Sequence, residues 1–134
     1  MNAETQRWLN FAQVAKYALT DEIFNQVCFH SQQAVEKSLK AYLMQRDNTT
    51  PRTHSIADLL RLLSLSWLGD TGRVLYKMDN YYIPTRYPDA PPGSLPDGMA
   101  GRDDAREALS LAEETYRLTL LALAQYDNDE PNDR

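Results

Sequence analysis

Apolar side chains along this chain recur at steps of three and four residues, the spacing that places them on one face of an α-helix. The pattern predicts no strand and five helical segments, at about residues 4–19, 21–46, 55–65, 71–82 and 102–126. Amphipathic helices with short connections pack together to bury their apolar faces. We therefore predict an all-α fold, an up-and-down antiparallel bundle of four to five helices.

The residues between the predicted helices indicate where helices begin and end. Thr20 or Asp21 is expected to cap the second segment, because short polar side chains accept hydrogen bonds from the first amides of a helix. Ser55 or Thr53 is expected to cap the third segment for the same reason. Residues 47–52 combine Asp, Asn and Pro, which favour turns and should end the second segment.

A proline-rich stretch separates the fourth and fifth segments. Five of the seven prolines lie between residues 84 and 96, and proline removes a backbone donor and disfavours helix. We expect an irregular loop there, before the last helix. The chain after Tyr126 holds four acids, one proline and no apolar residue. The sequence thus predicts one helical-bundle domain over residues 1–126 and an acidic, disordered tail over residues 127–134.

The second predicted helix carries two stripes of different chemistry. Its apolar stripe consists of Phe24, Val27, Cys28, Ser31, Val35, Leu39 and Tyr42. A polar stripe on roughly the opposite side consists of His30, Gln33, Lys37 and Lys40. Such a stripe is either a solvated face or a surface that binds an anion. Gln33, and not an acid, stands four residues before Lys37, so these two side chains are candidates for joint donation to a phosphate or carboxylate.

Lys40 and His54 are candidates for the same kind of recognition, each with a simpler alternative. Lys40 follows Glu36 by four residues in the favourable order, so a solvated ion pair is the alternative to anion binding. His54 precedes the third predicted helix, where it could titrate near neutral pH or interact with the amides of the helix. A packing or capping histidine is the alternative.

Arg86 is a further candidate, in the proline-rich stretch. It lies between Pro84 and Pro88, which restrict the backbone around it. A guanidinium held in this way loses less entropy when it pairs with an anion. The alternative is a structural ion pair with Asp89 or Glu36 that fixes the loop.

Composition and charge limit the classes of function. With 43% hydrophobic and 25% charged residues, the chain has the composition of an ordinary soluble globular protein. A net charge of −5 argues against coating nucleic acid through bulk positive charge, while a local cationic site remains compatible with it. The sequence shows neither a secretory signal nor a membrane-spanning stretch. We expect a cytoplasmic protein without membrane contact.

The chain lacks the motifs of common catalytic and metal centres. Its two histidines and one cysteine have no metal-ligand spacing, so neither a metal nor another cofactor is predicted. It has no glycine-rich phosphate loop and no Gly-x-Ser-x-Gly motif, which argues against conventional kinase or hydrolase chemistry. Cys28 is expected to be a small buried residue and not a nucleophile.

Taken in order along the chain, these residues resemble the HEPN family, the "higher eukaryotes and prokaryotes nucleotide-binding" domains. The resemblance runs from about Trp8 to Tyr126 and rests on a succession of short motifs. These are Trp8 with Ala12 and Ala15, Gln32-Gln33-Ala34-Val35-Glu36-Lys37 with Leu39-Lys40-Ala41, Thr53-His54-Ser55 with Leu59-Leu60, Tyr81-Tyr82, and Arg86-Tyr87-Pro88-Asp89.

The resemblance implies an all-α bundle that usually forms a homodimer and often has a minimal nucleotidyltransferase as its partner. It also implies binding of nucleotides or RNA. The family that the chain resembles includes many metal-independent ribonucleases, often toxins. These use an Arg followed four to six residues later by a His. This chain departs from that motif: seven residues separate Arg46 from His54, one separates Arg52 from His54, and no His follows Arg86.

We therefore predict a HEPN-type module that binds a nucleotide or a protein partner, as the companion of a minimal nucleotidyltransferase in a toxin–antitoxin-like system. The missing ribonuclease motif argues against enzymatic activity. The residues expected to bind the ligand are Gln33, Lys37, Lys40, His54, Arg86 and Tyr87. Two alternatives remain, a divergent ribonuclease toxin that uses Arg86 and His54 and a structural interaction domain without a ligand.

Overall fold

The computed structural model describes residues 10, 14, 17, 19–20, 23–49, 51–63, 65–81 and 100–129. Every regular element in these ranges is helical, which confirms the all-α bundle. In chain order, the elements are α1 (Phe24–Asp47), α2 (Ile56–Arg61), the 3-10 helix η1 (Leu65–Trp67), α3 (Gly69–Val74), the 3-10 helix η2 (Leu75–Tyr81) and α4 (Arg102–Asp129).

The two long helices, α1 and α4, pack side by side and form the most extensive contact between elements of the described chain. Their N-terminal ends meet where the Arg102 guanidinium lies 5.1 Å from the centre of the Phe24 ring. They therefore run in the same direction. Both helices bury small residues, which allow neighbouring helices to approach closely. These are Ser31, Ala34 and Ser38 of α1 and Ala105, Ala108 and Ala112 of α4.

The start of α1 differs from the prediction, and its end agrees with it. Ile23 is the N-cap residue and makes no capping hydrogen bond through its side chain, so the prediction of Thr20 or Asp21 as the cap is wrong. The helix begins only after Ile23, so its N-cap position lies two residues beyond Asp21. The C-terminus is confirmed in the predicted turn, where Asn48 adopts a left-handed conformation and its amide donates to the Met44 carbonyl at 3.0 Å.

The chain between the long helices is more broken than predicted. Ser55 is the N-cap of α2, as predicted, and its Oγ accepts a hydrogen bond from the Asp58 amide at 3.2 Å. Instead of a continuous α-helix over residues 71–82, α3 gives way to the 3-10 helix η2. The buried residues Leu75, Met78 and Tyr81 recur every three residues. This spacing suits a 3-10 helix, with its three residues per turn, as well as an α-helix.

The C-terminal half of α4 buries polar residues in place of some apolar ones. Leu120 is 42% exposed, whereas Thr115 and Thr119 are buried. Each threonine donates its hydroxyl proton to the carbonyl four residues earlier, those of Leu111 and Thr115, at 2.7 Å. Because this local bond satisfies the hydroxyl, a threonine can occupy a core position that apolar periodicity alone does not assign to it.

Helix α4 begins at Arg102, as predicted, and ends at Asp129, so the first residues of the predicted tail are helical. The proline-rich stretch, most of the first predicted helix and residues 130–134 lie outside the described residues. The irregular loop and the disordered tail therefore stay predictions. The domain limit at residue 126 also stays a prediction. The described positions of the first predicted segment, among them Leu19, are helical.

Candidate functional site

A group of polar side chains on α1 surrounds Glu36, which is fully buried. Glu36 Oε2 accepts a hydrogen bond from Lys40 Nζ at 3.0 Å and lies 3.6 Å from Lys37 Nζ. Nδ1 of His54, 18 residues further along the chain, lies 3.3 Å from both carboxylate oxygens. One buried carboxylate thus contacts three basic side chains, and we refer to Glu36, Lys37, Lys40 and His54 as the Glu36 cluster.

The helical repeat explains why the members on α1 meet, and packing explains why they are shielded. Glu36 and Lys40 are one turn apart, the spacing at which side chains on a helix contact each other. Because α1 is buried around most of its circumference, the side chains of Lys37 and Lys40 are only 19% and 12% exposed. The polar stripe of this helix is therefore not a solvated face.

Two glutamines of α1 connect the cluster to the backbone in front of α2. Gln32 is fully buried, and its Nε2 donates to the carbonyl oxygen of His54 at 3.3 Å. Gln33 Nε2 in turn donates to Gln32 Oε1 at 2.7 Å. Both ends of the Gln32 amide are engaged, which fixes its orientation. The glutamines thus hold the backbone of His54, while Glu36 holds its ring.

Asp79 of η2 holds the start of α2, directly after His54. Its carboxylate accepts hydrogen bonds from the amides of Ile56 and Ala57 and from the Ser55 hydroxyl. Together with the bond that Ser55 accepts, these contacts satisfy the first three amides of the helix. The helix therefore begins at a defined position, and His54 stands immediately in front of it.

The charges of the Glu36 cluster do not cancel. One carboxylate against two lysines leaves one positive charge when His54 is neutral and two when it is protonated. Because a carboxylate only accepts hydrogen bonds, its bond with His54 requires a proton on Nδ1. The His54 side chain is 55% exposed, so the cluster reaches the surface there. Positive charge in excess at a partly shielded site favours binding of an anion.

The structure brings together four of the six residues that the sequence predicts to bind a ligand. These four are Gln33, Lys37, Lys40 and His54. Gln33 lies against Gln32, and its joint donation with Lys37 to a ligand stays a prediction. Arg86 and Tyr87 lie outside the described residues, so their roles, and the pairing of Arg86 with His54, also stay predictions.

Sequence reasoning predicts the contact between Glu36 and Lys40, but it misses the contact between Glu36 and His54 and the parts played by Gln32 and Asp79. A usable signal exists for Gln32, because Gln32, Glu36 and Lys40 follow one another at steps of four and form a second polar row on α1. No local signal exists for Asp79, since its partners lie 22 to 24 residues earlier in the chain.

Cys28 and Tyr81 form a second buried group with ionisable side chains. Cys28 is fully buried, as predicted, and burial raises the pKa of its thiol to about 12. Burial raises the pKa of Tyr81 as well. A thiol with such a pKa stays protonated at neutral pH, which rules it out as an activated nucleophile. Within the described part of the chain, no three or more His, Cys, Asp or Glu side chains are placed to hold a metal ion.

A groove of about 550 Å³ lies along α4, lined by Leu19, Arg106, Leu109, Ser110, Glu113, Glu114 and Arg117. Arg117 Nε donates to Glu114 at 3.0 Å, and this hydrogen bond lowers the pKa of the Glu114 carboxyl. The two arginines and two glutamates of the lining balance in charge. Unlike the Glu36 cluster, the groove therefore has no excess of one sign with which to select an ion.

Comparison with known proteins places the chain in a family. No helix among the described residues has both the length and the hydrophobicity needed to cross a membrane. No curated protein and no solved structure shows significant similarity to the chain. The family model of the HEPN domain, in contrast, matches residues 6–122 of the 134. The resemblance seen in the motifs is thereby confirmed, and the chain belongs to the HEPN domain family, a class of nucleotide-binding and ribonuclease-type modules.

Proposed function

We propose that this HEPN domain binds the phosphate groups of a nucleotide through the Glu36 cluster. One observation carries the proposal: a single buried carboxylate gathers Lys37, Lys40 and His54, with positive charge in excess. Because Glu36 holds both lysines before a ligand arrives, little side-chain entropy remains to be lost on binding. Phosphate oxygens beside these side chains would accept charge-assisted hydrogen bonds, which are stronger than bonds between neutral groups.

Calorimetric titration with ATP, GTP and inorganic tripolyphosphate tests the phosphate site. Lys37→Met and Lys40→Met should each weaken binding about tenfold, because a hydrogen bond to a charged group contributes about 1.5 kcal/mol. Arg117→Met, which removes an exposed cation of α4, is the matched control and should bind as the wild type does. Equal affinity for tripolyphosphate and ATP would show that the base contributes little. Absence of binding at millimolar ligand would leave the structural interaction domain as the better description.

A nucleotidyltransferase partner in a toxin–antitoxin-like system is the second part of the proposal. Membership of the HEPN family supports it, together with the homodimer that family members often form. Sedimentation analysis of the purified chain should give the mass of a dimer. Co-expression with a small nucleotidyltransferase encoded beside its gene should yield a stable complex. A monomer that forms no such complex would contradict this part and leave the phosphate site unaffected.

A divergent metal-independent ribonuclease is the alternative that one observation favours. Glu36 bonds to Nδ1 of His54 as the carboxylate of a catalytic triad bonds to its histidine, so that proton exchange with a substrate would take place at Nε2. A base oriented in this way suits removal of the proton from an RNA 2′-hydroxyl. Cleavage of RNA in the presence of a chelator, lost in His54→Ala and in Arg86→Ala, would support this activity. A wild-type protein that leaves RNA intact would exclude it.

A further inference from the structure

Asp79 ties two elements together by means of one side chain. Its carboxylate, on η2, accepts hydrogen bonds from the Ile56 amide, from the Ala57 amide at 3.0 Å and from the Ser55 hydroxyl at 3.2 Å. All three donors belong to the first turn of α2 or to its N-cap. Through these bonds, η2 holds the start of α2.

His54 is held from two directions, and only one of them is α1. On the α1 side, Gln32 donates to its carbonyl oxygen and Glu36 contacts its ring, at 3.3 Å in both cases. On the other side, the next residue is Ser55, which Asp79 holds. Because Ser55 is covalently joined to His54, a movement of the helix start also displaces the backbone of His54. A small displacement is enough to weaken both contacts, because at 3.3 Å they already lie near the upper limit of hydrogen-bond length.

We infer that Asp79 is a positioning residue for His54: it holds the start of α2 where the His54 ring meets Glu36. The inference builds on the proposed function, since the site that Asp79 serves is the phosphate site described above. Asp79 acts on the site through the backbone of residues 54–57, because its carboxylate holds the start of α2.

The first test observes His54 in the absence of any ligand. The chain contains two histidines, His30 and His54, so the imidazole ¹⁵N signals that disappear in His54→Ala identify those of His54. In Asp79→Ala, the Nδ1 signal of His54 should move toward its position in Glu36→Gln, the variant that removes the carboxylate charge. The His30 signal should stay where it is in the wild type.

Asp104→Ala is the matched control for this test. Asp104 also caps a helix through its carboxylate, because its Oδ2 accepts a hydrogen bond from the Gly101 amide at 2.9 Å at the start of α4. Its loss should destabilise the protein by the same mechanism as the loss of Asp79, with no effect on the His54 signal. Asp79→Asn, which keeps a side-chain acceptor for the amides of α2, should give an intermediate displacement and serves if Asp79→Ala does not fold.

The second test measures binding of tripolyphosphate. Asp79→Ala should weaken it about fivefold, Asp79→Asn less, and Asp104→Ala not at all. If Asp79 acts through His54, the double variant Asp79→Ala with His54→Ala should bind about as tightly as His54→Ala alone.

The outcomes separate the inference from the function on which it builds. A His54 signal in Asp79→Ala or Asp79→Asn that matches the wild type overturns the inference. An equal displacement in Asp104→Ala overturns it too, because the effect would then be general destabilisation. If the wild type does not bind tripolyphosphate, the proposed function fails, and the signal of His54 still decides whether Asp79 positions it.

Discussion

Two carboxylate–cation groups with similar spacing in the sequence differ in burial. Glu36 and Lys40 are four residues apart on α1, and Glu114 and Arg117 are three apart on α4. Glu36 is fully buried, whereas the side chains of Glu114 and Arg117 are 40% and 58% exposed. Water screens the exposed pair, and such pairs contribute little to stability. The buried carboxylate lacks that screening and depends on its partners.

This difference explains why the Glu36 cluster, and not the α4 pair, is the candidate site. An exposed pair can separate and let water replace either partner at little cost. Around Glu36, the lysines and His54 stay in place because the carboxylate would otherwise be buried without compensation. A site whose donors are held before the ligand arrives binds more tightly than one that must first be ordered.

Among the variants compared, removal of the buried Glu36 carboxylate should lower the free energy of unfolding the most. Glu36→Ala leaves Lys37 and Lys40 without their carboxylate in a shielded environment and should lower the free energy of unfolding by about 3 kcal/mol. Glu114→Ala makes the same change in the exposed pair and should leave the unfolding transition near that of the wild type. Urea unfolding followed by circular dichroism measures both variants. Equal losses would contradict the contrast between the two groups.

Within the cluster, the two lysines should differ in their effect. Lys40 Nζ donates a hydrogen bond to Glu36 Oε2 at 3.0 Å, whereas Lys37 Nζ lies 3.6 Å from the same oxygen. Lys40→Met should therefore cost about 2 kcal/mol of unfolding free energy and Lys37→Met about half as much, because a hydrogen bond to a charged group is lost only in the first. The same urea measurement ranks them, and the reverse order would show that the shorter contact is not the stabilising one.

Alkaline pH should destabilise the protein through its buried thiol. The ordinary thiol pKa is 9.0, and burial raises that of Cys28 to about 12, so the folded state keeps a proton that the unfolded state loses. This stabilisation is complete below pH 9 and is lost as the pH rises toward 12, by at most about 1.4 kcal/mol per pH unit. Urea titrations at increasing pH measure the slope, and Cys28→Ala should reduce it. Part of the slope should remain in this variant, because burial also raises the pKa of Tyr81. If Cys28→Ala left the slope unchanged, the loss of stability at alkaline pH would not come from the thiol.

The smallest effect on stability is expected for the exposed pair, Glu114 and Arg117. The hydrogen bond from Arg117 lowers the pKa of Glu114, so the contribution of the pair is present above the ordinary glutamate pKa and is lost as the pH falls through the lower value of the folded state. Arg117→Ala should return the pKa of Glu114 toward its ordinary value, as measured by carboxyl ¹³C NMR. Salt at about 1 M should do the same in the wild type. If neither the substitution nor the salt changed the pKa of Glu114, Arg117 would not be the cause of its lowering.

The local features of the fold could largely be predicted from the sequence. The cap at Ser55, the turn at Asn48 and the Glu36–Lys40 pair each depend on residues within one or two helical turns of one another. The errors have equally local causes. Leu75, Met78 and Tyr81 fit a 3-10 repeat as well as an α-helical one. The buried position of Thr119 depends on a hydroxyl bond that a count of apolar residues does not register.

By itself, the sequence determined that this protein is an all-α HEPN domain whose second predicted helix, α1, carries a row of lysines and amides. Only the tertiary structure decided that Glu36 is buried, that His54 meets it from 18 residues away and that Asp79 holds the start of α2. The reason is physical. Spacing along a helix fixes which neighbours share a face, whereas burial and distant contacts depend on how the chain after α1 folds back against it.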